Sequence, residues 1–414
     1  MKLKKMDQYS FKDSFQIPIY VTNTLETFKK GNPIIDKETA TNGFLIKNEN
    51  ETILEMDTIP LKSTGFVKDP DGWNSIPNEG AIKSSAEEGP WYGQSWDGKL
   101  LFVFNEYIRK SIDLKFLNAS SPNFLSSWLI HEYRIVKTFS EEDKIVNAEI
   151  YIDYLYQYFL LKKGQDRIDL GKVDWDGEIF NASINKKTQD IEIDSKTYTK
   201  NEAVLQLDFE NECAPGKVEE AAKHFRNLFQ ILMNEFVGIN KILFNVGLST
   251  YANDLSKQDF LSGLRVNENI RFNYHENNYI DLINNFNYML NVYFKDEKIQ
   301  SFIYSYVIIH QGKMSLRVAF LTLVSGVEVY FNNCTYESSG KTISDLKKKI
   351  RLLGIEENDA EVIKDARNYL IHGNHLDQYV GDDELRNYTQ LLINHYHDRI
   401  IDDLTKDNLH KLGD

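Results

Sequence analysis

The first half of the chain alternates between apolar and polar positions with a period near two, from about residue 42 to residue 209. This period is typical of β-strands, in which neighbouring side chains point to opposite faces of a sheet. Strands are predicted at residues 43–46, 52–54, 100–104, 178–180, 191–193 and 203–209. The polar residues 185–189 between two of these runs predict a hairpin with an irregular loop.

The pattern changes to a helical period after Pro215 and Gly216. Apolar residues then recur at i, i+3, i+4 and i+7 through residues 218–236, and charged residues occupy the other side. Further helices are predicted at residues 280–294, 298–310, 314–331, 343–353, 359–372 and 383–404. We therefore predict an α+β protein, with a β-rich N-terminal domain over residues 1–210 and an all-α C-terminal region over residues 211–414.

Composition narrows the class of protein. The 414 residues are 42% apolar and 27% charged, which is typical of a chain that folds, and the length favours two domains. A net charge of −14 excludes a surface that is basic throughout, so any nucleic-acid site has to be local. Two cysteines, no secretory leader and no apolar run of about 20 residues predict a soluble cytoplasmic protein without a membrane segment.

A stretch rich in glycine and proline interrupts the strand pattern at residues 62–98. It carries Trp73, Trp91 and Trp96, three of the five tryptophans, and also Tyr92. Long loops inside compact domains often serve a function, and exposed aromatic side chains are common anchors at binding surfaces. We predict that these four aromatic residues bind a trigger. The alternative is that the tryptophans pack against the sheet as core residues.

Two familiar sequence patterns do not fit their usual function. Residues 339–342 resemble the end of a phosphate-binding loop, but Thr335 occupies the position of its first glycine and the preceding segment is helical. Thr342 is instead predicted to cap the next helix. His395 and His397 lie two apart on a predicted helix and so point to different faces. We expect neither a metal nor a cofactor.

The end of the helix predicted over residues 359–372 carries three candidate active-site residues. Arg367 and Asn368 are followed four positions later by His372, and Gly373 suits the position that ends a helix. Asn368 and His372 share a face, with Arg367 one position round, so the three side chains can line one groove. The alternative is a surface arginine near a histidine that caps the helix.

Arg367, Asn368, His372 and Gly373, late in a helical region, resemble the Arg-x4–6-His motif of HEPN ribonuclease domains, where a polar residue commonly follows the arginine. The helix around residues 326–331 is similar to the helix that packs before this motif. The resemblance implies a HEPN helical bundle with its core at about residues 300–414. The wider layout, with an aromatic and glycine-rich segment at residues 91–99, resembles ApeA-type anti-phage proteins.

This resemblance implies RNA cleavage without a metal, by a homodimer in which two Arg–His pairs meet through the C-terminal helices. His372 would take the proton from the ribose 2′-OH and supply one to the departing 5′ oxygen. Arg367 would stabilise the charge on phosphorus, and Asn368 would orient the phosphate or the histidine. The products would carry a 2′,3′-cyclic phosphate and a 5′-hydroxyl.

Two further features are predicted to support this chemistry. A buried unpaired carboxylate is costly, so Glu328, in an otherwise apolar predicted helix, either pairs with Arg367 or lies on a solvent-facing stripe. The other feature is a basic cluster that can follow an RNA backbone: Lys347, Lys348, Lys349 and Arg351. A solvated helix face is the more common meaning of such a cluster.

The predicted function is an endoribonuclease of abortive infection, which cleaves RNA when the N-terminal domain senses a phage component. Two alternatives remain open. The helical region could be a non-catalytic HEPN module that binds RNA or dimerises, or the protein could be a toxin that a separate antitoxin neutralises.

Overall fold

The structure is a computed structural model of the chain. It describes residues 5, 9–10, 13–27, 33–48, 51–57, 90–118, 121–137, 139, 144–161, 165–193, 196–246, 250–254, 285–311, 314–332, 334, 342–373 and 380–405. Trp73 and residues 62–89 of the predicted trigger-binding stretch lie outside these ranges.

The described residues form fourteen strands and eight helices. The strands are β1 (Phe15–Thr22), β2 (Glu26–Thr27), β3 (Pro33–Ile34), β4 (Thr41–Lys47), β5 (Thr52–Met56), β6 (Trp91–Ser95), β7 (Leu101–Asn118), β8 (Ser121–Val136), β9 (Ile145–Ile152), β10 (Arg167–Trp175), β11 (Glu178–Ile193), β12 (Lys196–Cys213), β13 (Ile239–Val246) and β14 (Thr250–Asp254). The helices are α1 (Leu155–Phe159), α2 (Pro215–Met233), α3 (Phe286–Lys295), α4 (Glu297–Gln311), α5 (Leu316–Tyr330), α6 (Leu346–Leu352), α7 (Glu357–His372) and α8 (Asp382–Thr405). A mixed α+β fold, with a β-rich N-terminal region and a helical C-terminal region, is confirmed.

The chain divides into two compact units. Unit 1 combines Met1–Ala148 with Asn240–Leu261, and unit 2 combines Glu149–Ile239 with Ser262–Asp414. This division differs from the predicted boundary near residue 210, because the last strands before α2 pack against helices. Phe180 of β11, for example, contacts Phe225 of α2 and Phe294 of α3.

Unit 1 contains a closed six-stranded barrel. Its strands follow the order β8–β5–β4–β1–β6–β7, and β7 pairs with β8 to close the ring. All six pairings are antiparallel. The predicted strands at residues 43–46 and 52–54 pair as β4 and β5, with Leu45 opposite Leu54. Closing the sheet pairs both edges of every strand in the ring, at least along part of its length.

Alternating side chains fill the barrel. Phe15, Ile17, Ile19 and Val21 of β1 are all at most 7% exposed, whereas the residues between them are more exposed. Gly93 of β6 leaves room for an inward-facing ring, because a Cβ atom there would lie 2.9 Å from a ring carbon of Phe104. The core therefore follows from the period of two along each strand.

Unit 2 contains an antiparallel sheet in which β10 pairs with β11 and β11 pairs with β12. The predicted hairpin loop at residues 185–189 is wrong, since these residues continue β11 and pair with β12, with Lys187 opposite Glu202. The polar stretch remains extended because eighteen-residue β12 supplies a partner along its whole length. The pairing of β11 with β12 continues as far as Ile193 opposite Lys196.

Helices cover this sheet. α2 starts with Pro215 in its first turn, a position where the missing N–H costs nothing, and both its apolar and several of its polar side chains are buried. α3 approaches β10 closely at Gly171. A Cβ atom at Gly171 would lie 2.3 Å from Asn287 Oδ1, and its φ of +124° is one that glycine tolerates best.

The C-terminal helices form a packed bundle around aromatic rings. Phe302 of α4 stacks on Tyr330 of α5 at 4.2 Å and on Tyr396 of α8 at 4.0 Å, centroid to centroid. Gly326 lets α8 approach α5, because a Cβ atom there would overlap the Tyr396 hydroxyl. That hydroxyl donates to the Leu323 carbonyl. Of the helices in the described part of the chain, none is both long and apolar enough to cross a membrane.

Candidate active site

α7 carries the predicted site residues at its C-terminal end. Ala360, Ile363 and Ala366 are buried and fix one face of the helix against the bundle. Gly373 ends the helix as predicted: its φ is +61°, and its N–H donates to the Tyr369 carbonyl at 2.8 Å. The helix therefore stops at His372, as the sequence predicts.

Arg367 is held by a carboxylate from α5. Its Nη2 atom donates to Glu328 Oε2 at 2.9 Å and to Oε1 at 3.2 Å. The two side chains are 21% and 32% exposed, so the pair is partly screened from water. Of the two alternatives for Glu328, pairing with Arg367 is confirmed.

Asn368 completes this cluster. Its Oδ1 atom accepts a hydrogen bond from Arg367 Nη1 at 3.1 Å. The Nε atom of Arg367 is buried and has no hydrogen-bond partner in the part of the chain that the structure describes. The guanidinium is thus fixed on two sides, and it still has N–H groups that are not engaged.

His372 lies in the exposed last turn of α7, four positions after Asn368. Within the described ranges no hydrogen bond or ion pair engages its ring. Because His372 is five positions after Arg367, the two side chains leave one helix about 140° apart and about 7.5 Å apart along the axis. Hydrogen bonds therefore join Arg367, Asn368 and Glu328, and the described part of the chain gives no such bond from these residues to His372.

Two members of the predicted RNA-binding cluster, Lys347 and Arg351, form ion pairs with acidic residues of α7. Lys347 Nζ lies 2.6 Å from Glu361 Oε2 and 3.2 Å from Glu357 Oε1, and Arg351 Nη1 lies 3.5 Å from Glu357 Oε2. Hydrogen bonds from Lys347 and Lys364 lower the pKa of Glu361 to about 2. These cations hold α6 against α7 through ion pairs that remain partly exposed to solvent.

The other two members of the cluster differ sharply from each other. Lys348 is exposed, whereas Lys349 is 8% exposed and its Nζ donates to the Glu328 carbonyl at 3.1 Å. Lys349 is therefore turned into the bundle and is not placed to follow an RNA backbone. The prediction failed here because Lys349 shares the buried face of α6 with Leu346 and Ile350.

Thr342 does not cap α6 as predicted. The cap is Asp345, whose Oδ1 accepts from the Lys347 N–H at 2.9 Å. The helix begins only at Leu346, so Asp345 occupies the position at which a carboxylate can satisfy a free N–H of the first turn. In the described part of the chain no group of three or more His, Cys, Asp or Glu side chains could hold a metal ion.

The aromatic residues predicted to bind a trigger are split between core and surface. Trp91 is 1% exposed, stacks on Tyr107 at 4.0 Å and meets Trp128 edge-on at 4.7 Å, so it is a core residue and not a surface anchor. Tyr92 is half-buried against Phe139.

Trp96 is the exposed member of this set. Its ring is 49% exposed and lies between Tyr20 at 6.1 Å and Phe44 at 6.2 Å, centroid to centroid. The three rings are brought together from β1, β4 and the turn that follows β6. Tyr20 and Phe44 were not predicted, because residues on separate strands become neighbours only through the sheet register.

Sequence reasoning also missed the acidic partners of the basic cluster. Lys347 and Arg351 are four apart on α6, and Glu357 and Glu361 are four apart on α7. Charges of opposite sign at this spacing on consecutive helices form complementary stripes. This pattern was visible in the sequence and predicts the ion pairs.

Comparison of the chain with models of protein families, with curated proteins and with solved structures finds no match. The chemistry of the site is therefore inferred from its residues and their geometry.

Proposed function

We propose that the C-terminal end of α7 is the active site of an endoribonuclease that cleaves RNA without a metal ion. The observation that carries this proposal is the arrangement on α7: a guanidinium held in place by Glu328 and Asn368, and an accessible imidazole at the end of the same helix. A fixed cation and a proton-transfer group are the two components that phosphodiester transfer requires.

The reaction proposed is attack by a ribose 2′-OH on the adjacent phosphorus. An imidazole of His372 removes the hydroxyl proton as the O2′–P bond forms, and an imidazolium donates a proton to the 5′ oxygen as the P–O5′ bond breaks. Arg367 stabilises the charge that develops on the phosphoryl oxygens. The products are a 2′,3′-cyclic phosphate and a 5′-hydroxyl.

We propose that two copies of the chain complete the site. One imidazole cannot act as base and acid at the same moment, and on a single α7 helix Arg367 and His372 point in different directions. Exposed apolar side chains on the three helices of the site support a homodimer: Val329, Leu352 and Ile371 are 54%, 38% and 47% exposed. Large apolar side chains left in water commonly mark association surfaces.

RNA cleavage in EDTA tests the chemistry. The parent protein is expected to release 5′-hydroxyl and 2′,3′-cyclic phosphate ends, and both His372→Ala and Arg367→Ala are expected to lower the rate at least about 100-fold. Arg386→Ala on α8 is the matched control, because Arg386 is exposed and its replacement by alanine removes the same positive charge as Arg367→Ala. Equal cleavage by the parent and both variants would show that another protein or another site is responsible.

Mixing experiments test the dimer. Adding His372→Ala protein to the parent is expected to lower activity more than dilution does, because mixed dimers hold a single imidazole. Sedimentation measures the oligomeric state of the active species. Full activity from a monomer would refute the two-copy site.

The biological role that we propose is defence against phage, with a trigger that binds unit 1. Trp96 supports a trigger site on unit 1, since it presents an exposed ring beside Tyr20 and Phe44. Trp96→Ala is expected to abolish phage-induced RNA cleavage and to leave the basal rate of the purified protein unchanged. An unaltered response to phage would exclude Trp96 as a trigger contact.

A further inference from the structure

Lys349 is the buried member of a basic run, and the one hydrogen bond that the structure describes for its side chain is to Glu328. The ammonium group donates to the Glu328 carbonyl at 3.1 Å and the residue is 8% exposed. Burying a lysine is costly unless its charge meets a compensating partner. The partner here is a main-chain oxygen at the C-terminal end of a helix, where the helix dipole concentrates negative charge.

The carbonyl that Lys349 binds is one of those that a helix end leaves without an intrahelical partner. At the end of α5, the N–H of Phe331 donates to the Val327 carbonyl and the N–H of Asn332 donates to the Val329 carbonyl, so neither of these two groups bonds to the Glu328 carbonyl. Lys349 supplies the missing donor from α6. It therefore acts as a cap for the turn from which the Glu328 side chain projects.

Glu328 joins three helices through two different groups. Its carbonyl accepts a hydrogen bond from Lys349 of α6, and its carboxylate accepts one from Arg367 of α7. The position of the guanidinium relative to α5 thus depends on the Glu328 carboxylate, and the carboxylate depends on a turn that Lys349 holds.

We propose that Lys349 is a positioning residue of the active site, which fixes the end of α5 and through Glu328 sets the place of the Arg367 guanidinium. The assignment rests on the proposed ribonuclease function for its effect on rate, but the placement of Arg367 can be measured without any cleavage.

The first test compares Lys349→Met with Lys348→Met. Both variants remove one lysine charge from neighbouring positions of α6, but only the first removes the bond to Glu328. Lys349→Met is expected to lower kcat about tenfold with KM unchanged, because a small displacement of a catalytic group is enough to slow a reaction. Lys348→Met is expected to leave kcat within about twofold of the parent, and Lys349→Arg, which retains a charged donor, to restore most of the rate.

The second test observes Arg367 directly by nitrogen NMR of arginine side chains, with the signals assigned from Arg367→Lys. In the parent and in Lys349→Arg, the ion pair is expected to slow rotation of the guanidinium and give separate Nη signals. In Lys349→Met the signals are expected to merge. If melting shows that Lys349→Met is unfolded, Lys349→Gln takes its place with the same expectation, because its uncharged amide ends one bond short of the lysine nitrogen and so loses the bond to the Glu328 carbonyl.

The two tests separate the possible failures. A parent that cleaves no RNA, together with merged Nη signals in Lys349→Met, overturns the ribonuclease proposal and supports the positioning role. Separate, parent-like Nη signals in a folded Lys349→Met or Lys349→Gln protein overturn the positioning role, whatever the rate. A fall in kcat without any change at Arg367 overturns it as well.

Discussion

The two halves of α7 use charged side chains in different ways. In the first half, Glu357 and Glu361 meet Lys347 and Arg351 at the surface, and these ion pairs are open to water. In the second half, the Arg367 guanidinium meets the Glu328 carboxylate at 2.9 Å in a less exposed setting, and it also donates a hydrogen bond to the neighbouring Asn368.

This difference in exposure determines whether a group of charges contributes mainly to helix packing or to fixing one side chain in place. Exposed ion pairs are weakened by water and by salt, so they add little stability and adjust easily. A partly buried pair is screened less and holds its members in one geometry. The first half of α7 is therefore suited to hold two helices in register, and the second half is suited to hold one reacting group still.

The largest change in cleavage rate is expected from breaking the ion pair between Glu328 and Arg367 in the second half of α7. Glu328→Gln removes the charge that holds Arg367 but keeps the size of the side chain, so cleavage is expected to fall about 10- to 100-fold. The free energy of unfolding is expected to fall by about 1 kcal/mol, since the pair is not fully buried. Glu361→Gln is the control at the other half and is expected to cleave RNA at the parent rate. Equal rate losses in the two variants would contradict the division of α7.

A smaller effect, on RNA affinity, is expected from removing the acidic partners of the basic cluster. Glu357→Gln combined with Glu361→Gln leaves Lys347 and Arg351 without their described acidic partners, so RNA affinity is expected to rise about fivefold at low salt and to lose this gain as salt increases. Glu356→Gln combined with Glu384→Gln removes the same charge from exposed carboxylates for which the structure gives no ion pair. If both double variants bind RNA equally well, net charge alone explains the gain and the cluster has no role in binding.

The smallest effect is expected in the acid stability of the first half. The pKa of Glu361 is lowered from 4.5 to about 2, chiefly by the hydrogen bond from Lys347. A lowered carboxyl pKa adds stability that is fully present above the unfolded pKa and is lost as pH falls through the folded pKa. The melting temperatures of the parent and of Glu361→Gln are therefore expected to converge between pH 4.5 and about pH 2. A difference that stays constant over this range would show that Glu361 has an ordinary pKa.

Local patterns predicted much of this region. The helical period and Gly373 place α7 and its last residue, because both depend on neighbours within a few positions. The ion pair between Glu328 and Arg367 stayed one of two alternatives, since the sequence does not say which face of α5 meets α7. The burial of Lys349 was missed for the same reason.

Sequence-based prediction meets the same limit in the barrel, where it does not identify the buried face of a strand. The period of two predicts that Trp91 and Tyr92 point to opposite faces, but it does not say which face is the interior. Only the closed ring of six strands puts Trp91 inside and leaves Trp96 outside. Trp91 and Trp96 are close in sequence, but contacts with strands distant in the sequence bury the first and leave the second exposed.

Residues 57–90 connect β5 to β6, and both ends of this segment are anchored in the same closed barrel, where β4 and β1 separate the two strands. The entropy lost on closing such a connection rises only with the logarithm of its length, by about 0.6 kcal/mol for each doubling. Insertions and deletions here therefore cost the barrel little. Related chains can be expected to diverge in length first at this connection, so that a new specificity can evolve there while the ring of strands is inherited unchanged.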